Sequence, residues 1–173
     1  GSLAIAQPKD RWTIQDGGAI RWSINDNIPH DDHLEMSGQQ LSVVLRYGVD
    51  AQKRFHLNRS LVFPMLRMHP NKTQNNLKQR FDVNIPALVT VDDQTLLNEE
   101  VRDVTFNGIM RVESSFGYIY RRKELKDAVQ LTRVLYPSTN AAHYCEEYTF
   151  KNSSPNQITL RAVSYTHLTL PTI

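Results

Sequence analysis

Leu41-Ser42-Val43-Val44-Leu45-Arg46-Tyr47-Gly48-Val49-Asp50 is the stretch whose reading decides the fold class. Leu41, Val43, Leu45, Tyr47 and Val49 alternate with Ser42, Val44, Arg46, Gly48 and Asp50. Successive side chains of an extended chain point to opposite faces, so this pattern makes a half-buried strand. Its inner face is expected to bury Leu41, Val43, Leu45 and Tyr47.

The same period recurs on both sides of this stretch. Trp12 and Ile14 form a short run, and Ile20, Trp22 and Ile24 form another; Asp16-Gly17-Gly18 supplies the turn between them. Val104 and Phe106 lead into Asn107-Gly108, followed by Met110 and Val112. Asn-Gly between alternating runs is a strong hairpin signal, because both residues accept positive φ. Tyr144, Tyr148 and Phe150 alternate with polar residues, the turn-rich segment from Asn152 to Asn156 follows, and Ile158 and Leu160 resume the alternation. The expectation there is a second hairpin. From Lys123 to Gln130 the residues suit a helical turn by propensity. Val129, Leu131 and Leu135 read as a strand ending at Pro137, and the strand is favoured because several short strands at regular spacing suggest a sandwich or barrel. Long helical patterns are absent, which argues against an α/β nucleotide-binding fold. The expected class is all-β: an antiparallel β-sandwich, supersandwich-like and incomplete at its C-terminal side.

Composition narrows the function classes. The chain carries 20 basic and 18 acidic residues, for a formal charge of +2. That balance gives no electrostatic footprint for nucleic acid. The sequence has no run of about 18 apolar residues of the kind that spans a membrane as a helix. Cys145 is the single cysteine, which excludes an internal disulfide framework and a multi-cysteine zinc site. No cofactor motif is present; Gly17-Gly18 is too short to cradle a phosphate.

Both ends call for separate treatment. Leu3-Ala4-Ile5-Ala6 has the small-residue spacing of a signal-peptide cleavage site, so 1–6 is expected to be the tail of a secretory leader, and the protein periplasmic or secreted. Val163-Ser164-Tyr165-Thr166-His167-Leu168-Thr169-Leu170-Pro171-Thr172 resembles the translation of a transposon-end sequencing adapter. The expectation is a β-sandwich domain over 7–162 and a foreign tail over 163–173.

Several groups are candidates for chemistry. His30-Asp31-Asp32-His33 offers metal-ligand and sugar-hydroxyl partners, but neighbours in an extended chain point apart and no metal spacing is matched. The competing reading is a solvated loop after Pro29, with its aspartates capping turns. Arg59, in Phe55-His56-Leu57-Asn58-Arg59-Ser60, suits a substrate carboxylate or hydroxyls; the plainer reading is a strand with its polar face in water. His30, Asp31, Asp32, His33 and Arg59 are therefore the substrate-binding or domain-interface candidates. Acidic pairs stand at Asp31-Asp32, Asp92-Asp93, Glu99-Glu100 and Glu146-Glu147. A glycosidase needs two carboxyl groups across the scissile bond, and sequence neighbours do not reliably supply that geometry. Asp92-Asp93 reads as a turn, and Glu146 and Glu147 as one residue per strand face. No catalytic residue and no metal site is assigned.

The run from Trp22 to Arg67, and Leu131-Thr132-Arg133-Val134-Leu135-Tyr136-Pro137-Ser138 followed by Glu147-Tyr148-Thr149-Phe150-Lys151-Asn152, resemble the N-terminal β-sandwich of six-hairpin glycosidases of Bacteroidota type. The resemblance is one of strands and turns and covers most of the chain up to residue 162. It implies that the sandwich packs on a C-terminal (α/α)6 barrel of the same protein, that the barrel carries the catalytic carboxylates, and that carbohydrate is the substrate. The expected function is an accessory domain of a secreted glycoside hydrolase, not catalytic alone. The alternative is a carbohydrate-binding module, which needs exposed aromatics on one face or in loops, with Trp12, Trp22, Tyr118 and Tyr120 the ones to examine, or a structural or surface-adhesion domain, which would show no concave polar site.

Overall fold

The computed structural model of the chain describes residues 10–24, 28–63 and 78–162. The expected leader tail and the expected foreign tail lie outside them. The fold is all-β and antiparallel, with no α-helix among the described residues. The alternating runs become β1 (Thr13–Ile14), β2 (Ile20–Ser23), β3 (His30–Ser37), β4 (Ser42–Val49), β5 (Phe55–Val62) and β6 (Lys78–Phe81). A 3-10 turn over Ile85–Leu88 leads into β7 (Val89–Val91), β8 (Gln94–Thr95), β9 (Leu97–Phe106), β10 (Met110–Tyr120), β11 (Lys123–Pro137), β12 (Tyr144–Asn152) and β13 (Leu160–Ala162).

Three sheets result: a six-stranded sheet in the order β1-β2-β9-β10-β11-β12, a four-stranded sheet β3-β4-β5-β6, and a three-stranded sheet β13-β7-β8. The six-stranded sheet is the common floor. The four-stranded sheet covers one part of it, where Val43, Leu45, Tyr47 and Val49 of β4 meet Trp22, Val104, Met110, Val112 and Leu135. The small sheet covers another, where Val91 meets Phe116, Tyr118, Val129 and Leu131. Leu41, Val43, Leu45 and Tyr47 are all buried, as the alternation requires.

Local chemistry sets the turns. Gly17 and Gly18 take φ of 83° and 82° between β1 and β2, and Gly108 takes 96° between β9 and β10. Asp92 and Asp93 both take positive φ and close the β7–β8 hairpin. Arg121 and Arg122 do the same between β10 and β11, at φ of 48° and 66°. Short hairpins favour this twist, because it matches the right-handed twist of the strands. Lys123–Pro137 is a strand, not a helical turn, and it carries an irregularity around Asp127, whose φ is 53°.

The expected second hairpin does not form. Among the described residues β12 pairs only with β11, and Leu160–Ala162 crosses to pair with β7. Ile158 and Leu160 join the apolar cluster under the small sheet, so burial decided the pairing.

Candidate functional site

The His30-to-His33 segment is strand, not loop. Alternation therefore splits it between two faces. His30 and Asp32 are half-buried, whereas Asp31 and His33 are exposed. The Asp32 carboxylate takes the Arg11 guanidinium. Arg11 in turn lies 4.9 Å from the Trp22 ring centre and 5.6 Å from that of Trp12. His30 stands edge-on to Trp22, 5.7 Å between ring centres. These residues form one aromatic–cation cluster, with Asp32 as counter-ion.

Asp31 faces the other way. It sits opposite Gly48 on β4, and Gly48 sits opposite His56 on β5. The Asp31 carboxylate reaches over the glycine to His56, Oδ1 to Nε2 at 2.6 Å. A Cβ at Gly48 would lie 2.1 Å from Asp31 Oδ1 and 2.2 Å from His56 Cε1. Glycine inside a strand marks such a close approach. The four residues of the segment therefore do not form one site.

Arg59 is not on a wetted face; it is 3% exposed. Its Nε and Nη2 grip Glu146 of β12, with Nη2 donating to Oε2 at 2.9 Å. Nη2 also donates to the Tyr148 hydroxyl at 3.2 Å, and Nη1 to the Val83 carbonyl at 3.2 Å. Tyr148 Oη donates to Glu146 Oε2 at 2.7 Å. Burial opposes the guanidinium charge, but the hydrogen bond and charge of Glu146 outweigh it, and the Arg59 pKa is raised. Burial, reinforced by the charge of Glu146, pushes the Tyr148 phenol up, so Tyr148 stays a donor.

Arg133 of β11, also 3% exposed, lies nearby over the Phe55 ring, 5.3 Å from its centre. Its Nη1 donates to Ser114 Oγ at 3.0 Å. The same nitrogen is 2.6 Å from Glu99 Oε1, off the direction a hydrogen bond needs, so that contact is one of charge. The sequence carried a signal for this interior group. Arg59 stands in phase with Phe55, Leu57 and Leu61, Arg133 with Leu131 and Leu135, and Glu146 with Tyr144, Tyr148 and Phe150. A charged residue on the apolar phase of a strand is turned inward and needs an inward partner.

Two concavities open near these pairs. A polar cleft of about 490 Å³ is bordered by the β4–β5 turn, the start of β9 and the start of β11. Its carboxylates are largely engaged: Asn98 Nδ2 donates to Glu124 Oε1 at 2.7 Å, and Asp127 Oδ1 accepts from Ser115 at 2.6 Å and Arg102 at 2.8 Å. The Ser115 hydroxyl, against some burial and with Arg102, lowers the Asp127 pKa. A general acid needs the opposite shift. The second concavity, of about 210 Å³, lies beside β5 with Arg59, Arg133 and Tyr148 in its lining. Among the described residues, no group of three or more His, Cys, Asp or Glu side chains is placed to hold a metal ion. No helix among them is long and apolar enough to cross a membrane.

Trp22 and Tyr118 are buried, at 1% and 0% exposure, and Trp12 and Tyr120 are partly covered. Two of the four aromatics that an exposed glycan platform would use are therefore in the core. Compared with protein-family models, curated proteins and solved structures, the chain has no significant match.

Proposed function

We propose that this chain is a supporting β-sandwich domain of a secreted carbohydrate-degrading enzyme, whose catalytic carboxylates lie on an (α/α)6 barrel of the same protein. The observation that carries the supporting role is the state of its inward carboxylates. Glu146 is held by buried Arg59, and Glu99 is set against buried Arg133. Charges fixed in this way join strands and sheets and are not poised to exchange a proton with a substrate. The burial of Trp22 and Tyr118 favours this reading over an aromatic glycan platform. The carbohydrate class rests on the resemblance of the Trp22-to-Arg67 and Leu131-to-Asn152 runs to glycosidase sandwiches, and it suits the polar cleft.

The test is release of reducing ends from a panel of soluble polysaccharides by the purified chain. The expected result is no release above buffer. Release that disappears in a folded Glu124→Gln or Asp127→Asn variant would make the chain itself an enzyme and overturn the proposal.

A further inference from the structure

The geometry points to the 210 Å³ cavity beside β5 as a binding site for a single neutral sugar ring. β6 pairs with β5 only from Arg59 to Val62, so the Phe55-to-Asn58 edge has no β6 residue paired with it. The crossover beyond β6 passes this gap and is tied down by the Val83 carbonyl, which accepts from Arg59 Nη1. The cavity lies between that crossover and β5.

Its lining suits an amphipathic ring. Phe55 and Pro86 provide apolar surface. Arg59, Arg133 and Tyr148 provide polar groups on buried or half-buried side chains. The Arg133 hydrogen bond to Ser114 and its close approach to Glu99 both use Nη1. Its Nε–H and Nη2–H make no hydrogen bond to the described residues and are not sealed from solvent, so both are open to an oxygen of water or of an occupant. Arg133 thus supplies what a hydroxylated ligand needs, and Phe55 and Pro86 supply the apolar contact.

Charge selects against an acid. Glu146 and Glu99 already balance Arg59 and Arg133, and exposed Asp82 borders the cavity with a further carboxylate. An anionic ligand would meet uncompensated negative charge, whereas a neutral polyol would not. The choice of sugar over other neutral polyols rests on the carbohydrate reading above.

The test is an NMR titration of the full chain with glucose, galactose, mannose, xylose and glucuronate, with acetamide as a non-sugar probe. The Arg Nε–H and Tyr ring signals are followed, with Tyr148→Phe used for assignment. At least one neutral sugar is expected to shift the Arg133 and Tyr148 signals, with glucuronate weaker by about tenfold or more. Asn84→Ala, at an exposed position of the lining on the crossover, is expected to weaken binding by about threefold to tenfold with the melting temperature unchanged. Arg133→Met should abolish binding; if it fails to fold, the Asn84 variant carries the test. Shifts with acetamide alone would keep the cavity and overturn the sugar assignment. No shift with any probe, or shifts indifferent to Asn84→Ala and Arg133→Met, would overturn the site itself and leave the supporting-domain reading standing.

Discussion

Arg59 of β5 and Glu146 of β12 belong to different sheets and hold each other across the interior of the sandwich. The pair also gathers Tyr148 and the Val83 carbonyl, so one guanidinium ties the two sheets to the crossover that leads to the small sheet.

Breaking this pair from one side strands a buried charge. Arg59→Met is expected to destabilise the fold by about 3–5 kcal/mol, because Glu146 is left uncompensated. Arg59→Met with Glu146→Leu is expected to recover most of that loss, since apolar replacement of a whole buried pair is often close to neutral. Urea unfolding of the two single variants and the double variant measures the coupling. Strictly additive losses would show that the pair is not an energetic unit.

Gly38 and Gly48 should respond differently to alanine. At Gly38 a Cβ would lie 2.1 Å from the backbone oxygen of Ser138, where the β3–β4 turn docks on the segment after β11. Backbone cannot easily yield, so Gly38→Ala is expected to cost about 1–3 kcal/mol. At Gly48 the obstacles are the ends of two exposed side chains, Asp31 and His56. Gly48→Ala should separate that pair and change stability by less than about 1 kcal/mol. Thermal unfolding of both variants, with the His56 ring shifts of the second, checks the contrast.

Acid should loosen two surface clamps. Burial pushes the Asp50 carboxyl up, but hydrogen bonds from the Arg54 backbone and side chain and from the Gln52 backbone outweigh it. Asp127 is lowered by Ser115 and Arg102, as described above. Both folded pKa values thus lie below the ordinary 3.8. A depressed carboxyl contributes stability above its unfolded pKa and loses it as pH falls through the folded pKa. Both groups are substantially exposed, so solvent screening keeps each contribution small. Melting temperature followed downward from about pH 6 should fall below about pH 4, and Asp50→Asn or Asp127→Asn should flatten that fall. An unchanged acid limb in both variants would contradict the assignment.

Much of the fold was legible because alternation is a local property. β1, β2, β4 and the β9–β10 hairpin follow from runs such as Leu41 to Val49 and from the Asn107-Gly108 turn. Pairing between distant segments was not legible: nothing near Leu160 says that its partner is Val91, because that choice depends on which apolar surface is left uncovered. The β10–β11 hairpin was hidden by its turn, since Arg121-Arg122 lacks the glycine or asparagine that usually marks positive φ. The candidate site was half legible. The residue types mark Asp31 and Asp32, but their separation to opposite faces, and the reach of Asp31 over Gly48, depend on the neighbouring strands. Arg59 reads by type as a ligand or interface contact, or as part of a strand's wetted face, whereas its apolar phase with Phe55, Leu57 and Leu61 points inward.

The central claim is that this sandwich serves a catalytic helical domain of the same protein. The most direct measurement is the coding sequence of the source DNA across and beyond the codon for Ala162. The account predicts that the frame continues into several hundred residues of paired amphipathic helices with inward carboxylates. A frame that closes soon after, or that encodes the 163–173 segment as native sequence, would contradict it.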